Sequence, residues 1–277
     1  MSDAEKPEIG ATVDAGGIKT NYLEAGSGPT VVLIHGSGPG VTAYANWRLV
    51  LPALAERFRV LAPDMAGFGF SERPEKAEYG LDLWADQVVG FIDALDLGQV
   101  SLVGNSFGGA IALRVATRHP DRFDKLVLMG SMGVDFPIVE GEGLDRVWGY
   151  EPSFENMRKV MDVFAYNREL VPDELAEVRY RASMQPGFQE SFSAMFPAPR
   201  QRWVDAMKTP EEEIRKLQHK TLIVHGREDQ VIPVDTSLQL MQLVENGDLH
   251  VFSHCGHWVQ IERSADFNRL VGDFLAG

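Results

Sequence analysis

The chain is expected to form an α/β protein: a mostly parallel sheet flanked by helices, with a helical cap inserted in it. Three observations predict this. Short, continuous apolar runs recur along the chain, helical patterns lie between several of them, and the alternation stops for one long stretch before it resumes.

Residues 18–23 alternate apolar and polar side chains after a Gly16-Gly17 turn, which reads as part of an antiparallel hairpin. The next runs differ. Residues 30–34, 59–62, 100–103, 125–128, 221–224 and 249–252 are each continuous or nearly so in apolar residues. A strand covered on both faces has no polar side to present, so such runs suit the interior of a parallel sheet. Helical patterns at 82–95, 107–118 and 264–276 supply the covering layers. From about Gly133 to about 209 no strong strand run occurs. The segment is rich in Met, Phe and Trp and is broken at Pro137, Pro152, Pro172, Pro186, Pro197 and Pro199. About 75 structureless residues would be implausible in a compact chain, so this stretch is expected to be a set of short helices. The expected division is a core of 1–133 and 210–277 with a helical cap of 134–209.

Composition bounds the partners. The 277 residues suffice for one large domain with a subdomain, and 44% hydrophobic content allows a sizeable core. Lys and Arg number 26 against 40 Asp and Glu, a net charge of −14. That balance argues against nucleic acid or an anionic membrane as the main partner. It also means that an acidic substrate would need a local arginine to hold it. A single cysteine, Cys255, excludes an intrachain disulfide. No apolar run is long enough for a membrane span, and the first ten residues lack the apolar stretch of a secretory signal. A cytoplasmic location is the expectation.

The chemistry centres on Gly104-Asn105-Ser106-Phe107-Gly108-Gly109, which joins the run at 100–103 to the helical pattern at 107–118. A G-x-S-x-G sequence between strand and helix is the nucleophile elbow of the α/β-hydrolase fold: a sharp turn presents the Ser106 hydroxyl above the sheet edge. Flanking glycines let neighbouring backbone pass closely, and the helix N-terminus favours a developing oxyanion. In this fold the partners follow in the order serine, acid, histidine. His257 lies after the last strand run and before the final helix, where a loop can bring an imidazole to the serine; His254 is its nearest competitor. The acid belongs in the loop after residues 221–224. Asp229 is the first candidate, because Val231-Ile232-Pro233 would shield it from water, and Glu228 the second. His35-Gly36-Ser37-Gly38-Pro39-Gly40 follows the run at 30–34, and its three glycines let backbone N–H groups converge. The oxyanion donors are therefore expected to be the N–H groups of Phe107 and Ser37. Phosphate-loop, dinucleotide and metal-ligand spacings are all absent, so neither cofactor nor metal is expected.

These motifs, together with His254-Cys255-Gly256-His257-Trp258, resemble the meta-cleavage product hydrolases, which break carbon–carbon bonds in aromatic degradation. Within the cap, Trp148-Gly149-Tyr150, Pro152-Ser153-Phe154 and residues 194–203 look like the branch acting on 2-hydroxymuconic semialdehyde. The resemblance covers nearly the whole chain. It implies that Asn46 and Asn105 contact the substrate and that Arg179 holds its carboxylate, though Arg181 is equally eligible from the residues alone. It further implies that Trp258 lies beside the catalytic histidine, that Phe164 and Val231 line the distal pocket, and that the chain forms a homodimer or larger assembly around a dienoic acid substrate. A methyl-ketone homologue of that substrate, a simple ester, or a non-enzymatic receptor role on the same fold are the alternatives. The resemblance leaves open whether Ser106 bonds to the substrate or activates water.

Overall fold

The computed structural model describes residues 6–74 and 78–277. Eight strands form one sheet: β1 (Ala11–Asp14), β2 (Lys19–Ala25), β3 (Thr30–Ile34), β4 (Arg59–Pro63), β5 (Val100–Asn105), β6 (Phe123–Met129), β7 (Lys220–Gly226) and β8 (Gly247–Phe252). Their spatial order is β1-β2-β4-β3-β5-β6-β7-β8. The hairpin β1–β2 joins β4 antiparallel, and every pairing from β4 to β8 is parallel. Reversals of strand order occur around β3 and β5, so the loops leaving their carboxyl ends open a crevice there.

The apolar runs are continuous because both faces are covered. In β3, Val32 and Ile34 enter one hydrophobic cluster while Val31 and Leu33 enter another across the sheet. Helices Leu81–Ala94 and Phe107–Arg118 cover the first face, and helix Ser264–Ala276 contributes Phe267 and Val271 to the second. Burying side chains of this size is worth about 1.5–3 kcal/mol each.

Between β6 and β7 the chain forms five helices of six residues or more and, among the described residues, no strand: Gly143–Trp148, Phe154–Phe164, Asp173–Ser183, Phe188–Met195 and Gln201–Ala206. Prolines set several of their limits. Pro152 precedes Ser153, whose hydroxyl accepts from the Asn156 N–H (3.0 Å) and caps Phe154–Phe164. Pro172 starts the helix that carries Arg179. The insertion leaves β6 and β7 in uninterrupted register from Lys125 opposite Lys220 to Met129 opposite Val224. No helix among the described residues is long and apolar enough to cross a membrane.

Candidate active site

Ser106 occupies the turn between β5 and helix Phe107–Arg118 with φ 56° and ψ −116°, a conformation L-residues rarely adopt. Backbone bonds hold it there: the Ser106 N–H donates to the Met129 carbonyl (2.8 Å), and the Ser106 carbonyl accepts from Gly109 (2.9 Å) and Met132 (3.1 Å). The glycines are steric requirements. A Cβ at Gly104 would collide with the Gly108 carbonyl, one at Gly108 with the Ile34 carbonyl, and one at Gly109 with Ser131.

His257 and Asp229 meet as the chain order anticipates. His257 Nδ1 donates to Asp229 Oδ2 at 2.7 Å, with both side chains almost fully buried. The other carboxylate oxygen, Oδ1, accepts from the N–H groups of Val231 (2.7 Å) and Ile232 (2.9 Å), so the shielding segment also orients the acid. Burial opposes the charge on Asp229, yet His257 and His225 beside it hold its carboxyl well below the usual carboxylate range. Glu228 is turned elsewhere, accepting from the Cys255 N–H (3.0 Å) and pairing with Arg227. His254 lies against Tyr166.

His225 escaped the sequence reading. It is fully buried, with Nε2 3.3 Å from Asp229 Oδ2 and 3.0 Å from the Ile232 carbonyl, and Nδ1 2.6 Å from Ser237 Oγ. Its position inside an apolar strand, four residues before Asp229, was the only available signal.

The glycine loop after β3 lies opposite Ser106. Its first residue, His35, is buried and neutral: burial lowers its pKa to about 4. Nε2 accepts from the Met65 N–H (2.9 Å), which leaves Nδ1 to donate to the Gly36 carbonyl (2.7 Å). Behind it, Asp64 accepts from Ala43 (2.6 Å), Phe70 (2.8 Å) and Asn21 (2.8 Å), while burial raises its pKa to about 6. These contacts anchor the short helix Ala43–Trp47 that presents Asn46. Gly38 and Gly40 serve a purpose beyond N–H convergence. A side chain at Gly38 would strike the Arg179 guanidinium and Phe164, and one at Gly40 the Arg179 carbonyl, so the loop packs directly against the inserted helices.

Arg179 enters from those helices, 2% exposed. Its Nη2 donates to the Pro39 carbonyl (2.8 Å), and among the described residues its Nε has no partner and no carboxylate pairs with it. The guanidinium lies 5.6 Å from the Phe164 ring centroid and 5.3 Å from that of Trp258. Burial lowers its pKa to about 9, so the side chain stays cationic at neutral pH. Arg181, by contrast, is exposed beside Lys6 and Gln185. Phe164 stacks on Trp258 (4.6 Å) and on His257 (5.6 Å), and the Arg179 guanidinium lies against the same ring.

Ser37, Asn46, Asn105, Ser106, Phe164, Arg179, Val231, His257 and Trp258 all line one narrow cavity, together with Leu144 and Val147 of the insertion. Phe107 lies beneath it in the aromatic core. The Asn46 Nδ2 is buried without a partner among the described residues, a donor free for a ligand. A second contact missing from the sequence reading is Trp148: its indole N–H donates to Ser37 Oγ at 2.9 Å while its ring stacks on Phe196 (4.1 Å, 6°). The described residues contain no cluster of three or more metal-ligating side chains.

An eight-stranded sheet of this order, a serine at a strained strand-to-helix turn and a buried His–Asp pair define a hydrolase of the α/β-hydrolase fold. The α/β hydrolase fold family matches residues 29–264. The 2-hydroxymuconate semialdehyde hydrolase of Pseudomonas sp. strain CF600 is 62% identical over 98% of this chain and 95% of its own length. The 2-hydroxy-6-oxo-2,4-heptadienoate hydrolase of Pseudomonas putida is 61% identical over 97% of each. Among solved structures, the meta-cleavage product hydrolase of Pseudomonas fluorescens IP01, as a serine-to-alanine mutant complexed with acetates, superimposes with a TM-score of 0.95 at 55% identity, covering 98% of this chain and 99% of that one. The chain belongs to the meta-cleavage product hydrolases of the α/β-hydrolase fold.

Proposed function

We propose that the chain hydrolyses 2-hydroxymuconate-6-semialdehyde, with water, to 2-hydroxypenta-2,4-dienoate and formate. One observation carries the reading: a buried guanidinium with no carboxylate partner among the described residues shares a small cavity with Ser106 and the His257–Asp229 pair. A substrate with a carboxylate at one end and a carbonyl at the other matches both. Buried charge costs several kcal/mol unless compensated, and a carboxylate gripped by two parallel hydrogen bonds compensates it.

In this reading, residues 134–209 act as the cap that closes the site. Arg179, Asn46 and Asn105 hold the carboxylate and the 2-oxygen while the dienol becomes a ketone, its hydroxyl proton moving to the carbon next to the aldehyde. That step matters because it turns a very basic carbon leaving group into a stabilised enolate. Ser106 then adds to the aldehyde carbon with His257 as base, and the N–H groups of Phe107 and Ser37 hold the oxyanion. Cleavage releases the enolate, and water discharges the formyl group as formate. Val231, with Leu144 and Val147, limits room beyond the aldehyde. We further propose that the chain works in the cytoplasm as a homodimer or larger assembly. The test is loss of the yellow dienolate absorbance with aldehyde and methyl-ketone substrates in parallel. A higher kcat/KM on the aldehyde, abolished in Ser106→Ala, supports the proposal. Preference for the ketone moves it to the homologous substrate, and turnover of simple esters alone overturns it.

A further inference from the structure

His225 stands behind the site without a role in the chemistry above. It belongs to β7, and its side chain is fully buried. A buried imidazole costs free energy unless its nitrogens are bonded. Both are. Nε2 faces two oxygens, the Ile232 carbonyl at 3.0 Å and Asp229 Oδ2 at 3.3 Å. Neither oxygen can donate, so the ring proton sits on Nε2. Nδ1 is then the acceptor, and the buried Ser237 hydroxyl, 2.6 Å away on helix Val234–Leu243, donates to it. One polar chain therefore runs from Ser237 through His225 and Asp229 to His257. The Asp229 carboxylate meets N–H groups on both oxygens: Val231 and Ile232 at Oδ1, His257 and His225 at Oδ2. The loop does not need His225 for its shape. Backbone bonds fix it already, from Arg227 to Phe252 (2.8 Å), Glu228 to Cys255 (3.0 Å) and Asp229 to Gly226 (3.1 Å).

We propose that His225 is a positioning residue for the His257–Asp229 pair: kept in one tautomer by Ser237, it takes a share of the Asp229 charge and so limits how strongly that carboxylate holds the His257 imidazolium. A second N–H at Oδ2 leaves less negative charge for the first. Bonds in such a chain polarise one another, so donation from Ser237 makes the His225 N–H the stronger donor. The proton that His257 takes from Ser106 must be handed on, and an imidazolium held less tightly gives it up sooner. Around the pair, among the described residues, stand Cys255, its thiol pushed up by burial to about 12, Glu228 and Glu262, turned to the Cys255 and Gly256 N–H groups, and Arg179, beyond the Phe164 ring that stacks on His257. None of these is altered by a change at 225 or 237. The inference rests on His257 acting as the base in the reading above.

The experiment is the pH profile of kcat/KM on the dienoate for wild type, His225→Leu, His225→Gln and Ser237→Ala, with folding checked by circular dichroism. His225→Leu removes the N–H, and its acidic limb should move up by about half a pH unit. KM should stay unchanged, because His225 does not line the cavity. His225→Gln keeps an N–H facing the same oxygens and should restore the wild-type limb, while Ser237→Ala should move it the same way by less. A wild-type limb in folded His225→Leu, or a glutamine variant shifted as far as the leucine one, overturns the proposal. If His225→Leu does not fold, Ser237→Ala decides, and a wild-type limb there overturns it. His257→Ala separates the two readings: full activity in it removes the base assignment and this inference together, whereas its inactivity beside unmoved limbs removes the role of His225 alone.

Discussion

The elbow at Ser106 and the helix at Arg179 meet across one cavity, yet different forces hold them there. Around Ser106 the determinants are backbone: carbonyls of Ile34, Gly108 and Met129 leave space only for glycine or for an N–H. Around Arg179 most of them are side chains, two aromatic rings and an indole bond to Ser37, with one loop carbonyl beside them. Backbone packing of the first kind tolerates no change of volume, whereas packing of the second kind can be altered piecemeal. The core is therefore rigid around Ser106, and the insertion is adjustable around Arg179.

The largest effect is expected at the rigid end. Gly108→Ala forces a methyl into the Ile34 carbonyl and should destabilise the fold by about 3 kcal/mol, read as a fall in Tm of roughly 6–10 °C. A variant with unchanged Tm would show that the elbow yields more than its contacts suggest. Next comes Arg179→Ala. Loss of charge-assisted hydrogen bonds worth about 1.5–3 kcal/mol should lower kcat/KM on the dienoate roughly 10- to 150-fold, while activity on a neutral ester is retained. Equal losses on both substrates would mean that Arg179 supports the fold rather than the ligand. Trp148→Phe keeps the stack on Phe196 and deletes only the bond to Ser37; at about 1 kcal/mol, roughly a fivefold loss in kcat/KM is expected. The smallest net effect should accompany acidification, because two buried groups oppose one another. His35, lowered to about 4, loses stability for the fold as pH drops below 6.5, since the unfolded chain takes up the proton first. Asp64, raised to about 6, adds stability over the same descent, since the folded chain does so. Between pH 6.5 and 4.5 the two contributions largely cancel. In His35→Gln only the second remains, so Tm should hold up better on acidification than in the wild type. A steeper fall in the variant would refute this pairing.

Much of this was legible in the sequence. Strand runs and the glycine spacing around Ser106 are local signals, readable because a turn of that shape excludes other residues. Asp229 and His257 follow from chain order. The insertion was legible as helical, but its internal packing was not. Nothing near Phe164 in sequence places it under Arg179, and nothing near Trp148 ties it to Ser37; those contacts join residues 15 and 111 positions apart. His225 was hidden because a buried histidine in an apolar strand looks like core until its neighbours are known. Arg179 and Arg181 were equivalent by composition, and only the rotation of helix Asp173–Ser183 separates them.

The turn at Ser106 has a consequence for selection on this chain. A serine at φ 56° is held against its own preference, at a cost of about 1–3 kcal/mol, whereas glycine adopts such angles freely. The fold would therefore be more robust with glycine there and its reactivity gone. Random drift toward thermal robustness runs against retention of this side chain. A serine held at such an angle between strand and helix is a local deficit that the rest of the core carries.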